Sequence, residues 1–545
     1  MGDGSHRRSW HRQVGVLWFA LLFWLACFER GGGDKRKAKQ DEPTPRKPIV
    51  AAVADAAAGA RVNNDATIRI RLATEPAHLN PFVAGEATVN RVSLGDVYEG
   101  LLCERKLGVA PVLCLARSVA VSDHGKQWTF QLRKNVRWHD GKPFSSADAA
   151  FTFRLLLNKK VVTWLRGDFG DLRQVDADGP DRLTLLFDSF RPGRRRAFAR
   201  MPILPKHVFE AAGVKLASAA GNRKPIGTGP LRFAAWKTGS SITLERNDAY
   251  WGSKARVGRV VYRVIANRKR ALAALAAGDL DLVTELPADE ALAHHKRHPS
   301  LALFSYPRHA YLAAVHNWRK PLLANVDIRR ALSHTLDRKS IARTMFHGYA
   351  DLISGPFPVA SAAYDPRTKP LVFGAKAAAL AIRRSGLKKR GPIELLVPTG
   401  SRTMRRIADV WVQDAKPHLE LKVTLVPYVK VLSRARSGKF DVALLAFTSS
   451  AELDVFTRLH SSQAGRENYG AVADKQLDAL IEKARTTADP NARTKLQRAI
   501  HRRIHVSQPY TFIASDRRLG LARPGISGII TGAYGPLARA LWRAR

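Results

Sequence analysis

The residue types that could do chemistry in this chain are scattered rather than clustered. A serine acyl-transfer centre of the Ser-x-x-Lys kind needs its serine upstream of a Lys-Thr-Gly turn. Lys237-Thr238-Gly239 supplies such a turn, but Ser385-Gly386-Leu387-Lys388 lies downstream of it in a basic, loop-like stretch. Lys237–Gly239 is therefore read as a turn alone. His294 and His298 stand four residues apart, and so do His501 and His505. That spacing can set two imidazoles on one helix face for a metal ion. Lys and Arg surround both pairs and repel cations, so solvated helix faces are expected. Cys103, Cys114 and His124 are poorly spaced for zinc. The chain has no Gly-x4-Gly-Lys-Ser/Thr loop, no Gly-x-Gly-x-x-Gly and no Gly-x-Ser-x-Gly elbow. The expectation is a protein that is not an enzyme and has no cofactor and no metal.

Without a reaction centre, binding becomes the natural function, and charge is the first clue to a ligand. Against 90 Lys+Arg the chain sets only 46 Asp+Glu, a formal net charge of +44 over 545 residues. Such a charge suits nucleic acid, an anionic membrane or an acidic ligand. The basic residues are spread along the whole chain, with Arg outnumbering Lys. This reads as a compositional bias, not the single stripe of a nucleic-acid binder. No nucleic-acid partner is expected, although a basic surface protein binding an anionic polymer stays open as an alternative.

The elements that must position a ligand begin after an address. His6, Arg7, Arg8, His11 and Arg12 precede the apolar run 14–26 (VGVLWFALLFWLA). A spanning helix needs about 20 apolar residues, so this shorter run reads as a secretory signal. Cys27 follows it directly, as the acylated Cys of a lipoprotein would. Residues 28–65 are rich in Gly, Pro, Ala and charge and read as a tether. In an exported, oxidising compartment, Cys103 and Cys114 flank 104–113, with Lys106-Leu107-Gly108 as a turn. They either pair across a hairpin or stay as two buried thiols.

Beyond the tether, residues 67–73, 128–132, 242–245 and 259–265 alternate as strands. A pair of strands is expected over 175–187, further strands over 393–397 and 423–426, and a buried strand over 440–446. Helices are expected at 90–102, at 270–277 with Gly278 as C-cap, over a long stretch 326–345, and at 404–415, 477–484 and 491–504. Ser145 and Asp148 form a helix-start signature. The basic run 191–200 (RPGRRRAFAR) is expected on a solvated face. Strands and helices alternate throughout, so the fold class is α/β with several lobes.

Several segments together resemble one family. These are 73–82 (ATEPAHLNPF), 97–102 (VYEGLL), 128–148 (WTFQLRKNVRWHDGKPFSSAD) and 226–230 (IGTGP). They continue with 244–252 (LERNDAYWG), 278–281 (GDLD), 326–338 (VDIRRALSHTLDR) with Gly348-Tyr349, and Asn468-Tyr469 with Leu477-Asp478. In this order they resemble the extracellular solute-binding proteins of family 5, the peptide-, dipeptide- and nickel-binding receptors of ABC importers. The resemblance implies a two-lobed periplasmic-binding-protein fold with a hinge and an additional inserted lobe. It divides the chain as signal 1–27, tether 28–65, lobe I from 66–103 with 205–260 and 508–545, inserted lobe 104–204, and lobe II 261–507.

The same resemblance implies a function. A peptide-like solute would be trapped between the lobes of a monomer. The partners would be an ABC permease and ATPase, at a membrane reached through the lipid anchor. An oligosaccharide, a cell-wall peptide or a metal complex is the alternative ligand. The family's carboxylate for the peptide ammonium lies three residues after a Trp; here Phe447 holds the Trp position and Ser450 the acidic one. Glu452 or Asp454 would have to replace that carboxylate, or the ligand lacks a free amine there. The loop 80–86 corresponds to a cleft-lining loop, which makes Phe82 and Glu86 further candidates. Asp140, Gly141, Gly229, Asn247 and Asp337 are expected to be structural.

Overall fold

The computed structural model describes residues 61–544, apart from 106–109, 192, 309, 389–390, 449–452, 488 and 533–534. The signal, Cys27, most of the tether and the 106–108 turn lie outside the described residues. Among those described, no helix is long and apolar enough to cross a membrane.

Thr67–Leu72 buries Ile68, Ile70 and Leu72. It pairs in parallel with Arg259–Val264 along its whole length, and with Leu282–Leu286 at Ile70. Ser241–Arg246 and Leu231–Lys237 extend this side of the sheet antiparallel. A separate antiparallel sheet is ordered Ala116–Ser122, Gln127–Leu132, Arg182–Phe187, Leu172–Asp178. Helix Ser146–Leu157 packs against it. That helix starts as its sequence demands: Ser145 accepts from the Ala147 N–H, and Asp148 accepts from the Ser145 N–H. The inserted sheet shares one apolar core with lobe I, through Phe130, Phe153, Phe187 and Phe198.

One strand organises the rest. Tyr510–Ala522 is 13 residues long, and its two halves serve different lobes. Tyr510–Ala514 pairs with Ala310–His316, which leads on to Val442–Thr448, Ile393–Pro398 and Leu421–Val426. Arg517–Ala522 pairs with Ala302–Pro307 on one side, and its end with Leu282–Leu286 on the other. A single sheet of twelve strands among the described residues therefore runs through both lobes. The apolar cores divide where the strand changes partners. Two clusters use residues up to Tyr306 and from Leu519 on; two others lie between Tyr311 and Ala514.

This division moves the expected lobe boundary. Residues 261–307 do not belong to lobe II, because Arg259–Val264, Leu282–Leu286 and Ala302–Pro307 are strands of the lobe I sheet. The chain instead crosses between lobes at 307–310 and again at 514–518, not at 508. Two helix expectations also change. The stretch 326–345 is two helices, Val326–His334 and Arg338–Met345, the second capped by Asp337 (Ser340 N to Oδ1, 2.9 Å). The helix expected at 90–102 is instead Ala87–Ser93, and Gly95 turns the chain at φ +83° just beyond it.

Three expected surface residues are buried. Arg194 of the basic run is 1% exposed; it forks onto Asp171 (2.7 and 3.0 Å) and lies 3.5 Å over the Phe187 ring. His501 is fully buried, accepting from the Asp365 N–H and contacting Ser354 and Thr368. His294 is 4% exposed. Charge and polarity alone misplaced all three; for Arg194 and His501, hydrogen-bonding partners offset the cost of burial.

Candidate functional site

The family-like segments turn out to meet one another inside lobe I. Glu99 is fully buried and accepts from Tyr250 Oη (2.7 Å), Trp251 Nε1 (2.9 Å) and Thr228 Oγ1 (3.0 Å). Burial pushes its carboxyl pKa up, against those hydrogen bonds. Nearby, Gly227 donates to His139 Nδ1 (3.2 Å), and His139 Nε2 lies 3.0 Å from the Gly229 carbonyl. Burial holds His139 neutral, with its pKa lowered to about 4. A Cβ on Gly227 or Gly229 would strike the Val97 or Asp96 carbonyl, so this approach requires glycine. Four motif segments thus converge on scaffold rather than on ligand. Gly229 and Asn247 (Nδ2 to Gly229 O, 3.0 Å) act structurally in this way, as does Gly141 at φ +86° in its turn.

Beside this network, Cys103 and Cys114 are joined in a disulfide across the paired strands Leu102–Cys103 and Val112–Leu113.

The candidate ligand site lies where the two lobes exchange strands. Here the described residues leave a cavity of about 260 Å³. Its apolar wall is Tyr311 and Phe447, and its polar lining includes Arg308, Ser401, Asp516 and Arg518. Strand pairing places the wall. Tyr311 faces Phe447 in register across Ala310–His316 and Val442–Thr448, so the rings stack with centroids 5.3 Å apart. Phe447 stacks in turn on Tyr510 at 5.6 Å, and Arg458 holds its guanidinium 4.9 Å from the Phe447 ring. Burial raises the pKa of Tyr311 and Tyr510, so both hydroxyls stay protonated. Such a wall can take an apolar or planar face of a solute.

The charged lining comes from the two crossings. Arg308 Nη1 lies 3.5 Å from Asp516 Oδ2, one residue from each crossing segment. Ser515 donates to the Ala310 carbonyl at 2.8 Å. Arg517 pairs with Asp351 (3.2 Å), whose short strand Ala350–Asp351 lies beside the crossing.

The sequence candidates fare differently. Phe447 lines the cavity. Phe82 does not: it is fully buried in the lobe I core, and its carbonyl accepts from Thr163 of the inserted lobe (2.6 Å). Trp164 fixes the same loop by donating to the Pro81 carbonyl (2.9 Å). Glu86 is exposed at the start of Ala87–Ser93, away from the cavity lining. Asp454 is committed elsewhere, pairing with Arg485 (3.2 Å) and accepting from the Phe456 N–H. Ser450 and Glu452 lie outside the described residues. Arg308, Tyr311, Asp516 and Arg518 were missed. The available signal was Pro307 between two apolar runs (residues 302–306 and 310–315), which marks a chain break between strands.

Comparisons with known proteins agree with this architecture. Residues 110–468 match the bacterial extracellular solute-binding proteins, family 5 Middle. The oligopeptide-binding protein AppA of Bacillus subtilis is 27% identical over 438 residues, covering 75% of this chain and 79% of that protein. HbpA2 from Haemophilus parasuis superposes with a TM-score of 0.81 at 22% identity, over 88% of this chain and 100% of that one. The periplasmic murein tripeptide binding protein MppA, in an unliganded open form, gives a TM-score of 0.80 at 20% identity, over 89% of this chain and 98% of that one. With two thirds of its length inside the family match and the lobe-crossing strands of such a receptor, the chain belongs to the bacterial extracellular solute-binding proteins of family 5.

Proposed function

We propose that this protein is an extracytoplasmic receptor that traps a peptide-type solute between its lobes and delivers it to the permease of an ABC importer. The observation that carries this reading is the placement of the aromatic and charged cavity at the two strand crossings. A solute there touches the segments that must bend when the lobes approach. It can therefore favour a closed state by differential affinity, which is all that a receptor of this kind requires. The family relationship and the naming of AppA as an oligopeptide-binding protein support a peptide as the ligand. Phe447 forms the wall, with Tyr311 beside it. With Ser450 at the acidic position, Glu452 would have to take a ligand amine; otherwise the ligand lacks a free amine there.

In the same reading, residues 1–27 direct export and Cys27 carries a lipid, with 28–65 as the tether of a monomeric body. The test is native mass spectrometry of the protein purified from its source. A releasable peptide adduct is expected; an oligosaccharide adduct would replace the ligand class.

A further inference from the structure

We propose that the cavity selects acidic solutes, holding a ligand carboxylate between Arg308 and Arg518. This rests on the receptor reading above and adds a ligand class to it. Three observations converge. First, among the described residues, the charged ones lining the cavity are two arginines and one aspartate, Asp516. A ligand ammonium would face that majority of positive charge, whereas a carboxylate would complete it.

Second, neither arginine is well satisfied by the protein. Arg308 reaches Asp516 only at 3.5 Å, and Arg518 Nε lies 3.6 Å from Glu285. That Nε is buried and has no hydrogen-bond partner. An ion pair held at that distance compensates the guanidinium charge only in part, and a ligand carboxylate meeting the exposed part of the side chain, 27% accessible, would complete it. Glu285 divides its carboxylate: Oε1 accepts from Tyr306 Oη (2.6 Å) and lies 3.6 Å from Arg91, while Oε2 faces Arg518 only at 3.6 Å. Its backbone sits at φ +60° beside a strand irregularity, an uncommon conformation for glutamate that fixes the group in place.

Third, helix Arg402–Ala415 begins at the cavity, with Ser401 and Thr403 in the lining. Its first turn holds no acid, and Arg402, Arg405 and Arg406 are exposed on it. Positive charge at the positive end of a helix dipole is locally unfavourable. An incoming anion reverses that sign.

The test is calorimetric titration of the full-length protein in detergent. The probes are a tripeptide pool containing Asp and Glu, the same pool with every carboxyl amidated, and a pool containing Lys and Arg. The acidic pool should bind at least about tenfold tighter than either other pool. Arg308→Gln and Arg518→Gln should each weaken it by about tenfold, and Arg518→Lys by less. Binding should weaken as salt rises. Equal binding of the acidic and amidated wild-type titrations overturns the proposal whatever the variants do, and leaves the peptide receptor standing. Unchanged affinity in both glutamine variants overturns it too. If no peptide pool binds but carboxylated sugars do, with the same loss in the variants, the arginine site stands and the peptide reading falls. If neither peptides nor carboxylated sugars bind, both fall.

Discussion

Ser515 donates its hydroxyl to the carbonyl of Ala310, 2.8 Å away, and so ties together the two segments that pass between the lobes. The Arg308 carbonyl lies within 3.3 Å of the same oxygen. One side chain thus braces both crossings where any bending must occur.

Ser515→Ala should remove this brace and cost about 1 kcal/mol, the usual net worth of one such bond. Thermal unfolding would show it as a small drop in Tm, and scattering would show a wider spread of lobe separations. An unchanged Tm and an unchanged scattering profile would deny the brace its role.

Phe447 separates binding from folding. Phe447→Ala should lose several kcal/mol of stability, because the ring is 6% exposed and packed between Tyr311 and Tyr510; removing a buried aromatic costs about 3–5 kcal/mol. Phe447→Leu should keep most stability and still weaken ligand binding, measured by calorimetry. Ligand affinity equal to wild type in Phe447→Leu would remove this residue from the site.

The disulfide should matter less than its loop suggests. Closing a short loop of this kind is worth about 2–3 kcal/mol in the chain-entropy account. Cys114 Sγ, however, lies 3.2 Å from Glu99 Oε1, and a reduced thiol there gains a proton to donate. Reduction should therefore lower Tm, and the double change Cys103→Ala, Cys114→Ala should lower it further. Identical Tm for reduced wild type and the double variant would contradict the Glu99 contact.

Acid sensitivity follows from buried histidines. Burial lowers the pKa of His316 to about 3 and of His501 to about 4, while an unfolded His titrates near 6.5. Below pH about 6.5 the unfolded chain takes up protons that the folded chain refuses, so their contribution is full above that pH and shrinks toward pH 4. Tm measured from pH 8 to pH 4 should fall through this window, less steeply in His316→Gln. A flat profile between pH 6.5 and 4.5 would refute it.

For the anchor, Cys27→Ser should release the protein from the membrane fraction. A variant that stays membrane-bound would argue against lipidation.

What the sequence made legible was local. The Ser145–Asp148 start, Gly278 ending its helix at φ +94°, and the strands at 67–73 and 128–132 follow from capping and alternation between near neighbours. Phe447 was reached only through the family resemblance, at the position where the family has a Trp; it lies within the strand Val442–Thr448. What stayed hidden was long-range. The pairing of Tyr510–Ala522 with residues some two hundred positions earlier fixes the lobe boundary, and no single segment encodes it. Arg308 and Arg518 read as two among 90 basic residues; only strand crossing brings them to one cavity. Phe82 was a candidate because its loop corresponds to a cleft-lining loop in the family, yet Thr163 and Trp164 fasten that loop to the inserted lobe.

Small-angle X-ray scattering with and without a saturating mixed tripeptide pool tests the central claim most directly. A receptor that closes on its ligand should lose radius of gyration when the peptides are added, and Arg308→Gln should need more peptide to do so. A radius that stays constant while calorimetry shows the peptides bound would contradict closure at the 307–310 and 514–518 crossings.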